Sequence, residues 1–318
     1  MAVFTPVSHE QASAFIKPLA IGQLLSLRGI PSGIENTNYF VTTTAGEFVL
    51  TLFERLCEKQ LSFSLTLMQH LARRGIPVPE PKADDNGTIV FALNGKPASV
   101  VTKLAGRHCL APERHDVEQV GDMLAQMHQA SSDFDTEHAN SYGLNWWLRA
   151  VERIGPFLDD ERRDVLIDEL QFQQELANDH SYRGLPRGPV HGDLFRDNVL
   201  FCEASADNLS GFFDFYFACT DAFVFDVAVC LNDWCIDRQT GALLPAMASA
   251  FLEAYERIRP LTPREQRYLP AALRAAALRF WLSRLMDLHF PRDSALLNAH
   301  DPEHLFRVLS HHRRASVV

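Results

Sequence analysis

Residues 190–201 read VHGDLFRDNVLF, and residues 211–216 read GFFDFY. Asp193 and Asn198 stand five residues apart on a loop that then enters an apolar strand. A second apolar strand ends at Asp214, and a hairpin between the two strands would bring this carboxylate close to Asn198. The sequence therefore predicts a cluster of two carboxylates and one amide.

This set of residues suits phosphoryl transfer. In that reaction the protein contributes mainly positioning, and Mg²⁺ neutralises phosphate charge. Asp193 would lie near the acceptor hydroxyl, whereas Asn198 and Asp214 would supply the oxygen ligands that Mg²⁺ prefers. Taken singly, each residue could be an ordinary loop carboxylate or turn asparagine. Their joint spacing between apolar strands favours the functional interpretation.

The first hundred residues are predicted to form a small antiparallel sheet with one long helix. Strand-like runs at 37–41 and 48–53 flank an Ala-Gly turn, and runs at 88–93 and 98–104 flank Asn-Gly-Lys. Between the two hairpins, apolar residues recur at helical spacing over 57–74, where a glycine and three prolines then stop the helix.

The remainder is predicted to be mostly helical, apart from a strand-like interruption at 189–217. Amphipathic spacing or capping residues predict helices at 117–127, 146–154, 165–176, from 262 towards 288, and from 302 onwards. The long helix opens with a capping box, Thr262-Pro263-Arg264-Glu265, and Pro270 is a point where it could be interrupted.

Composition and charge exclude several classes of protein. Of 318 residues, 47% are hydrophobic and 22% charged, which is typical of a folded domain and not of a disordered chain. The net charge of −10 argues against a nucleic-acid partner and an anionic membrane. We find no secretory signal, no run of about 18 apolar residues, and no Cys-x-x-Cys pair for zinc. These features predict a cytoplasmic protein with reduced thiols; they leave its oligomeric state open.

The pattern His-x-Asp-x₄-Asn followed by a strand-end Asp resembles the protein-kinase-like fold. Its His-Gly-Asp form is similar to the aminoglycoside phosphotransferase branch, whose members phosphorylate small molecules. Longer strings resemble the bacterial homoserine kinases of this fold: VLTLFE within 48–54, DLFRDN at 193–198, DFYFAC at 214–219 and ALRFWLSR at 277–284. Residues 124–128 and 225–228 extend the resemblance to the branch.

The resemblance implies an α+β, bilobal protein-kinase-like fold. A small β-sheet lobe that binds nucleotide would span residues 1–104, and a larger helical lobe for catalysis and acceptor binding would span 105–318. The implied cofactors are ATP and Mg²⁺, and the implied reaction is phosphorylation of the hydroxyl of L-homoserine, an amino-acid substrate of threonine biosynthesis. Asp193 would accept or orient the hydroxyl proton, and His191 and Asp226 would support the catalytic loop.

The implied nucleotide site lies in the first lobe. Its phosphate-covering loop would be residues 33–39, with the side chains of Asn36, Thr37 and Asn38, and its hinge would be Lys103 and Leu104. There is one departure from the family pattern, since Thr51 stands where a phosphate-binding Lys is usual. Arg55 or Lys59 would then supply the cation.

The acceptor side is predicted from the charges of homoserine. Its ammonium needs a carboxylate, for which Asp221, Asp233 and Asp237 are candidates, and its carboxylate needs a guanidinium, for which Arg279 and Arg284 are candidates. A buried structural ion pair explains either arginine equally well. Arg196, in the catalytic loop, and Tyr216 are further candidates for contact with phosphate or substrate.

Two alternatives remain open at this point. One is another small-molecule kinase of the same branch, acting on an aminoglycoside, choline, methylthioribose or hydroxylysine. The other is a catalytically silent nucleotide-binding protein, motivated by Thr51 but disfavoured by the intact Asp193, Asn198 and Asp214. A protein kinase is disfavoured because no Ala-Pro-Glu string follows Asp214 and no long segment separates residues 214 and 226.

Overall fold

The first part of the chain is an antiparallel sheet with a helix before it and a helix inserted into it. The computed structural model describes residues 3–31, 36–202, 209–291 and 301–315, and the side chain of Lys59 lies outside that description. The sheet has the order β1-β2-β3-β5-β4, formed by β1 (Leu24–Gly29), β2 (Thr37–Thr43), β3 (Gly46–Leu52), β4 (Phe91–Leu93) and β5 (Lys96–Thr102). Helix α1 (His9–Ile16) precedes the sheet, and α2 (Glu58–Arg73) follows β3.

The two faces of the sheet bury different side chains, because successive residues of a strand point to opposite faces. On one face, Tyr39 and Leu50 pack with Ile16 of α1 in a separate apolar cluster. The other face contributes to the main core, which continues into the helical part of the chain. In the β2–β3 register, Asn38 lies opposite Thr51, and both therefore belong to the second face.

Both predicted hairpins and the inserted helix are confirmed, with small changes of boundary. β4 begins at Phe91, and β5 spans Lys96–Thr102. Helix α1 and strand β1 were not predicted. The signal for α1 was nevertheless in the sequence: Ser8 and Gln11 form a capping box, in which the Gln11 N–H donates to Ser8 Oγ at 3.1 Å and the Ser8 N–H donates to Gln11 Oε1 at 2.9 Å.

The second part is helical, as predicted, and its sheet content is limited to two short ribbons among the described residues. Its helices are α3 (Arg114–Ala130), α4 (Leu144–Ile154), α5 (Asp160–Asn178), α6 (His180–Arg183), α7 (Phe223–Trp234), α8 (Pro245–Ile258), α9 (Pro263–His289) and α10 (Pro302–Ala315). The architecture is therefore α+β. None of the described helices has the length and hydropathy needed to cross a membrane.

The long helix α9 confirms its predicted start and corrects its predicted interruption. The Glu265 N–H donates to Thr262 Oγ1 at 3.2 Å, and Glu265 Oε2 accepts from the Thr262 N–H at 2.9 Å. The helix then continues through Pro270 without a break. Residues on the next turn, such as Ala272 and Leu273, are buried in the core. Tertiary packing therefore keeps the proline within the helix despite its missing N–H.

Two ribbons hold the segment with the predicted chemistry. β6 (Arg187–Val190) pairs with β9 (Cys219–Ala222), and β7 (Val199–Phe201) pairs with β8 (Leu209–Phe212). In the second ribbon Val199 lies opposite Phe212, which confirms the predicted hairpin. The chain that leaves β6 and the chain that leaves β8 are thereby brought side by side.

Candidate active site

Three predicted residues, Asp193, Asn198 and Asp214, meet where these two chain segments run together. The Asn198 amide nitrogen donates to the carbonyl of Asp193 at 2.7 Å and to its carboxylate at 3.1 Å. The Phe213 N–H donates to the carbonyl of Asn198 at 3.1 Å. Asp214 follows in a left-handed conformation, with φ of 65°, which non-glycine residues seldom adopt outside functional sites and turns.

A buried carboxylate holds the backbone of the catalytic loop. Asp226, on α7, accepts hydrogen bonds from the N–H groups of His191 and Gly192, both at 2.8 Å. His128 contacts the same carboxylate at 3.1 Å, and its other ring nitrogen lies 2.7 Å from the hydroxyl of Tyr255. Burial alone would raise the pKa of Asp226, but these hydrogen bonds and the neighbouring histidines lower it. Asp226 therefore remains a carboxylate.

His191 is a neutral brace in this geometry. One ring nitrogen accepts from the Asp193 N–H at 3.2 Å, so the other carries the proton and donates to the carbonyl of Phe213 at 2.9 Å. Burial lowers the pKa of this imidazole. Both nitrogens are thus used to fix the loop to the segment that carries Asp214.

The carboxyl of Asp193 has the environment of a general base. Burial raises its pKa well above the usual range, the charge of Arg279 lowers it, and Asp214 and Asp197 raise it again. A base is most effective when its pKa is close to the working pH, and a raised carboxyl pKa moves in that direction.

Arg279, on α9, supports the catalytic loop through a backbone contact. Its guanidinium donates to the carbonyl of Gly192, and its side chain is almost fully buried. The rings of Phe280, Tyr142 and Phe217 surround it at 4.4, 5.5 and 5.7 Å. Arg279 therefore braces the loop through a backbone carbonyl, and its contact with a substrate carboxylate stays a prediction.

Arg196 and Asp233, two further candidates for contact with the substrate, bind each other. The Asp233 carboxylate accepts from the Arg196 N–H at 2.8 Å and lies 3.5 Å from its Nε. The Arg196 guanidinium donates to the carbonyls of Leu110, at 3.0 Å, and of Asp233. Arg196 is only 7% exposed and anchors the loop to α7, and its contact with phosphate or substrate stays a prediction.

The other two predicted ammonium ligands have structural partners as well. Asp221 pairs with Arg187 at 3.0 Å and accepts from Asn140 at 2.8 Å. In the β6–β9 ribbon it lies opposite Gly188, five residues before Asp193. Asp237 caps its own turn by accepting from the N–H groups of residues 239 and 240.

Tyr216 belongs to the contact between the sheet and the helical part. Its ring packs edge-on against Phe53 at 4.9 Å, and its hydroxyl interacts with that of Thr51. Burial raises the pKa of this phenol. The structure thus places Tyr216 beside the nucleotide-side residues and not among the acceptor-side charges.

On the sheet face that carries Asn38 and Thr51, the Thr51 hydroxyl donates to Asn38 Oδ1 at 2.8 Å. Thr37 points to the opposite face and is fully buried. Its hydroxyl accepts from the N–H groups of Phe4 and Thr5 at 2.9 and 3.1 Å and donates to Glu54 at 2.8 Å. The Thr37 hydroxyl therefore has protein partners on the opposite face, and its contact with phosphate stays a prediction.

The other described residues predicted to bind nucleotide lie near the ends of strands β2, β3 and β5. Residues 33–35 and the side chain of Lys59 lie outside the described part of the chain. Asn36 lies at the start of β2, where its carbonyl is 3.5 Å from the Asn38 amide. At the end of β5, Lys103 pairs with Glu47 at 2.9 Å and is followed by Leu104. The side chain of Arg55 is exposed to solvent.

The cluster fits a divalent cation that is shared with a nucleotide. Because the Asn198 nitrogen donates to Asp193, the amide oxygen is left to face a ligand. Asp214 adds a carboxylate, and the charges of Asp193, Asp214 and Asp197 repel one another without a cation. Within the described residues, no group of three or more His, Cys, Asp or Glu side chains could hold a metal alone. Phosphate oxygens would have to complete the coordination, as is usual for Mg²⁺.

The fold and this cluster together define a bilobal, kinase-like phosphotransferase. The sequence model of the phosphotransferase enzyme family, APH, matches residues 26–261, and the chain belongs to this family.

Known relatives and solved structures agree with this class. The homoserine kinase of Polaromonas naphthalenivorans is 53% identical over 309 residues, which cover 97% of both chains. That of Paraburkholderia phymatum is 50% identical over 314 residues, again 97% of both. Amicoumacin kinase, solved with AMP-PNP, Ca²⁺ and amicoumacin, has a similar fold: the TM-score is 0.73 at 17% identity, over 98% of this chain and 94% of that one. Spectinomycin phosphotransferase, solved with ADP and spectinomycin, gives 0.63 at 13% identity, over 96% and 94%.

Proposed function

We propose that this protein is an ATP-dependent homoserine kinase, which phosphorylates the side-chain hydroxyl of L-homoserine in threonine biosynthesis. The proposal depends on one combination of features in this chain. It is 53% identical to a homoserine kinase over 97% of its length, and its Asp193, Asn198 and Asp214 lie in mutual contact or electrostatic range. This argues against a catalytically silent protein.

Asp193 is the proposed catalytic base. Its carboxylate accepts or orients the proton of the acceptor hydroxyl, while the hydroxyl oxygen forms a bond to the γ-phosphorus and the bond from that phosphorus to ADP breaks. The amide of Asn198 holds the carboxylate in place, and Arg279 holds the carbonyl of Gly192 next to it. Catalysis of this kind depends on positions fixed to a fraction of an ångström.

Asn198 and Asp214 are the proposed ligands of Mg²⁺, through the amide oxygen and the carboxylate. When bound, the cation neutralises charge on the phosphates of ATP. The nucleotide would lie between this pair and the sheet face with Asn38 and Thr51, in a lobe of residues 1–104 that ends at a hinge near Lys103 and Leu104. The acceptor would then bind to the lobe of residues 105–318.

We expect L-homoserine to be the preferred acceptor, with L-serine and L-threonine poorer by roughly 10²-fold. Shortening the side chain by one methylene displaces the hydroxyl by about 1 Å, and a displacement of that size can cost about 10²-fold in rate. The measurement is ATP consumption against a panel that also holds aminoglycosides, choline, methylthioribose and hydroxylysine. Faster turnover of any of these would refute the assigned acceptor and leave the kinase fold intact.

We expect Thr51→Val to be mild, with a loss of tenfold or less in kcat/KM. The neutral hydroxyl already donates to Asn38, and a single net hydrogen bond contributes about 0.5–1.5 kcal/mol, where 1.36 kcal/mol is tenfold. The cation that a Lys would supply must come from elsewhere, so Arg55→Ala or Lys59→Ala should be worse.

Arg73→Ala is the matched control, because Arg73 is an exposed arginine at the far end of α2. Steady-state kinetics at saturating Mg²⁺ compare the four variants. If Thr51→Val is the most damaging, Thr51 has a specific role and the compensation by a nearby cation is wrong.

A further inference from the structure

A group of cationic side chains lies beside the catalytic loop on the side of the helical part. Arg284 is on α9, Arg238 is on the loop after α7, and Arg307 is on α10; we refer to these three as the arginine cluster. His304 lies among them, buried, and burial followed by the charges of all three arginines lowers its pKa to about 4. The imidazole is therefore neutral, and the positive charge belongs to the arginines.

The positive charge of the arginine cluster is poorly compensated by the described part of the protein. Arg284 donates to the carbonyl of Asp301 at 3.3 Å. No carboxylate of the described residues lies within ion-pair distance of the three guanidinium groups, and the nearby Asp233 is bound to Arg196. Arg307 Nε and His304 Nδ1 are buried with no hydrogen-bond partner. Buried polar atoms without a partner are costly, and an anion bound by the arginine cluster would reduce that cost.

The catalytic loop lies against the helix that carries Arg284, since Phe195 packs on Phe280 with ring centroids 4.4 Å apart and Arg284 follows Phe280 by one helical turn. Asp197 is exposed, and no hydrogen bond or ion pair joins it to the residues that the structure describes. It directly precedes Asn198, and its charge acts on both Asp193 and Arg284. Asp193 also acts on Arg284. These three charged groups therefore lie within electrostatic range of one another.

We propose that the arginine cluster, through Arg284 and Arg238, binds the carboxylate of the acceptor, and that Asp197 binds its ammonium. Together, the arginine cluster and Asp197 would select free α-amino acids over other hydroxyl compounds, because a guanidinium fork matches a carboxylate in shape and charge. Arg279 is unsuited to this role, since its guanidinium is bound to Gly192 within a cage of aromatic rings. The positive charge also disfavours a polycationic aminoglycoside. This assignment rests on the proposed homoserine kinase activity and names the residues that give it specificity.

The test compares L-homoserine with two analogues in each variant. 3-Aminopropanol lacks only the carboxylate, and γ-hydroxybutyrate lacks only the ammonium. In the wild type, both should be much poorer acceptors than L-homoserine. In Arg284→Met, kcat/KM for L-homoserine should fall roughly 10- to 100-fold, as expected for loss of a charge-assisted hydrogen bond. In the same variant, kcat/KM for 3-aminopropanol should equal the wild-type value. The preference for L-homoserine over 3-aminopropanol should therefore be largely lost.

Asp197→Asn should remove discrimination against γ-hydroxybutyrate in the same way. Arg284→Lys should restore part of the preference for the carboxylate, and KM for ATP should stay within threefold in the arginine variants. The control is Arg267→Met, an exposed arginine on the same helix, 17 residues before Arg284. If Arg284→Met does not fold, the same comparison is made with the exposed Arg238→Met.

The outcomes separate this inference from the proposed function. If the wild type does not phosphorylate L-homoserine, the proposed function itself fails. If it does, but Arg284→Met and Arg238→Met discriminate between L-homoserine and 3-aminopropanol as the wild type does, the role of the arginine cluster is overturned. Unchanged discrimination against γ-hydroxybutyrate in Asp197→Asn overturns the role of Asp197.

Discussion

The Asp193→Asn variant is expected to lose about 10²–10⁴ in turnover and to bind nucleotide almost as well as the wild type. That range is typical for removal of a positioned general base. The substitution keeps the size of the side chain and its contact with the Asn198 amide, which donates to an oxygen of Asp193. It removes only the group that can take the proton. Steady-state turnover and calorimetric binding of a nucleotide analogue measure the two expectations separately.

The pH profile gives a second readout for Asp193. Its pKa is raised by burial, and the base must be ionised to act, so wild-type kcat/KM should fall as the pH decreases through that raised pKa. The variant should lack this acidic limb, because an amide does not titrate. Asp168→Asn is the control, since Asp168 is a surface carboxylate 67% exposed. Turnover within threefold of the wild type would exclude Asp193 as the base.

Asp214→Ala is expected to abolish most of the effect of Mg²⁺ on nucleotide affinity, together with turnover. Even residues that only orient a metal ligand change metal affinity by about 10–100-fold, so loss of a direct carboxylate ligand should lie at or above that range. Nucleotide is titrated with and without Mg²⁺ in the wild type and the variant. An unchanged Mg²⁺ dependence in the variant would contradict the assigned role.

A second substitution at this position separates the loss of metal coordination from the strain of the left-handed backbone. Asp214 has a left-handed backbone, which alanine adopts poorly and asparagine tolerates. Asp214→Asn therefore keeps the backbone and one oxygen but removes the charge. If Asp214→Asn retains much of the Mg²⁺ effect and Asp214→Ala does not, oxygen coordination is the main contribution. If both fail equally, the negative charge is required.

The catalytic cluster could be predicted from the sequence because its geometry is local. The β7–β8 hairpin joins two apolar runs that are close in the chain, so Asn198 and Asp214 meet as soon as the strands pair. The strand register also contained a signal for the direction of the Thr37 side chain. The turn at residues 44–45 sets Asn38 opposite Thr51, and side-chain alternation then puts Thr37 on the other face.

The roles of the charged residues could not be predicted in this way. Arg196 binds Asp233 across 37 residues of sequence, and Arg279 reaches Gly192 across 87. Such partners depend on how α7 and α9 pack, which periodicity does not specify. A charged residue near a catalytic motif can therefore serve the substrate or the scaffold, and only the packed structure shows that Arg279 contacts Gly192 whereas Arg284 contacts Asp301.

The buried carboxylate of Asp226 has a consequence for the motion of the catalytic loop. Its bonds to the N–H groups of His191 and Gly192, and through His128 to Tyr255 on α8, join the loop to three helices of the core. These two amides can exchange their hydrogens with solvent only when that part of the core opens, so they belong to its slowest-exchanging unit. The loop is therefore ordered during folding, and substrate binding does not bear the entropy of ordering it.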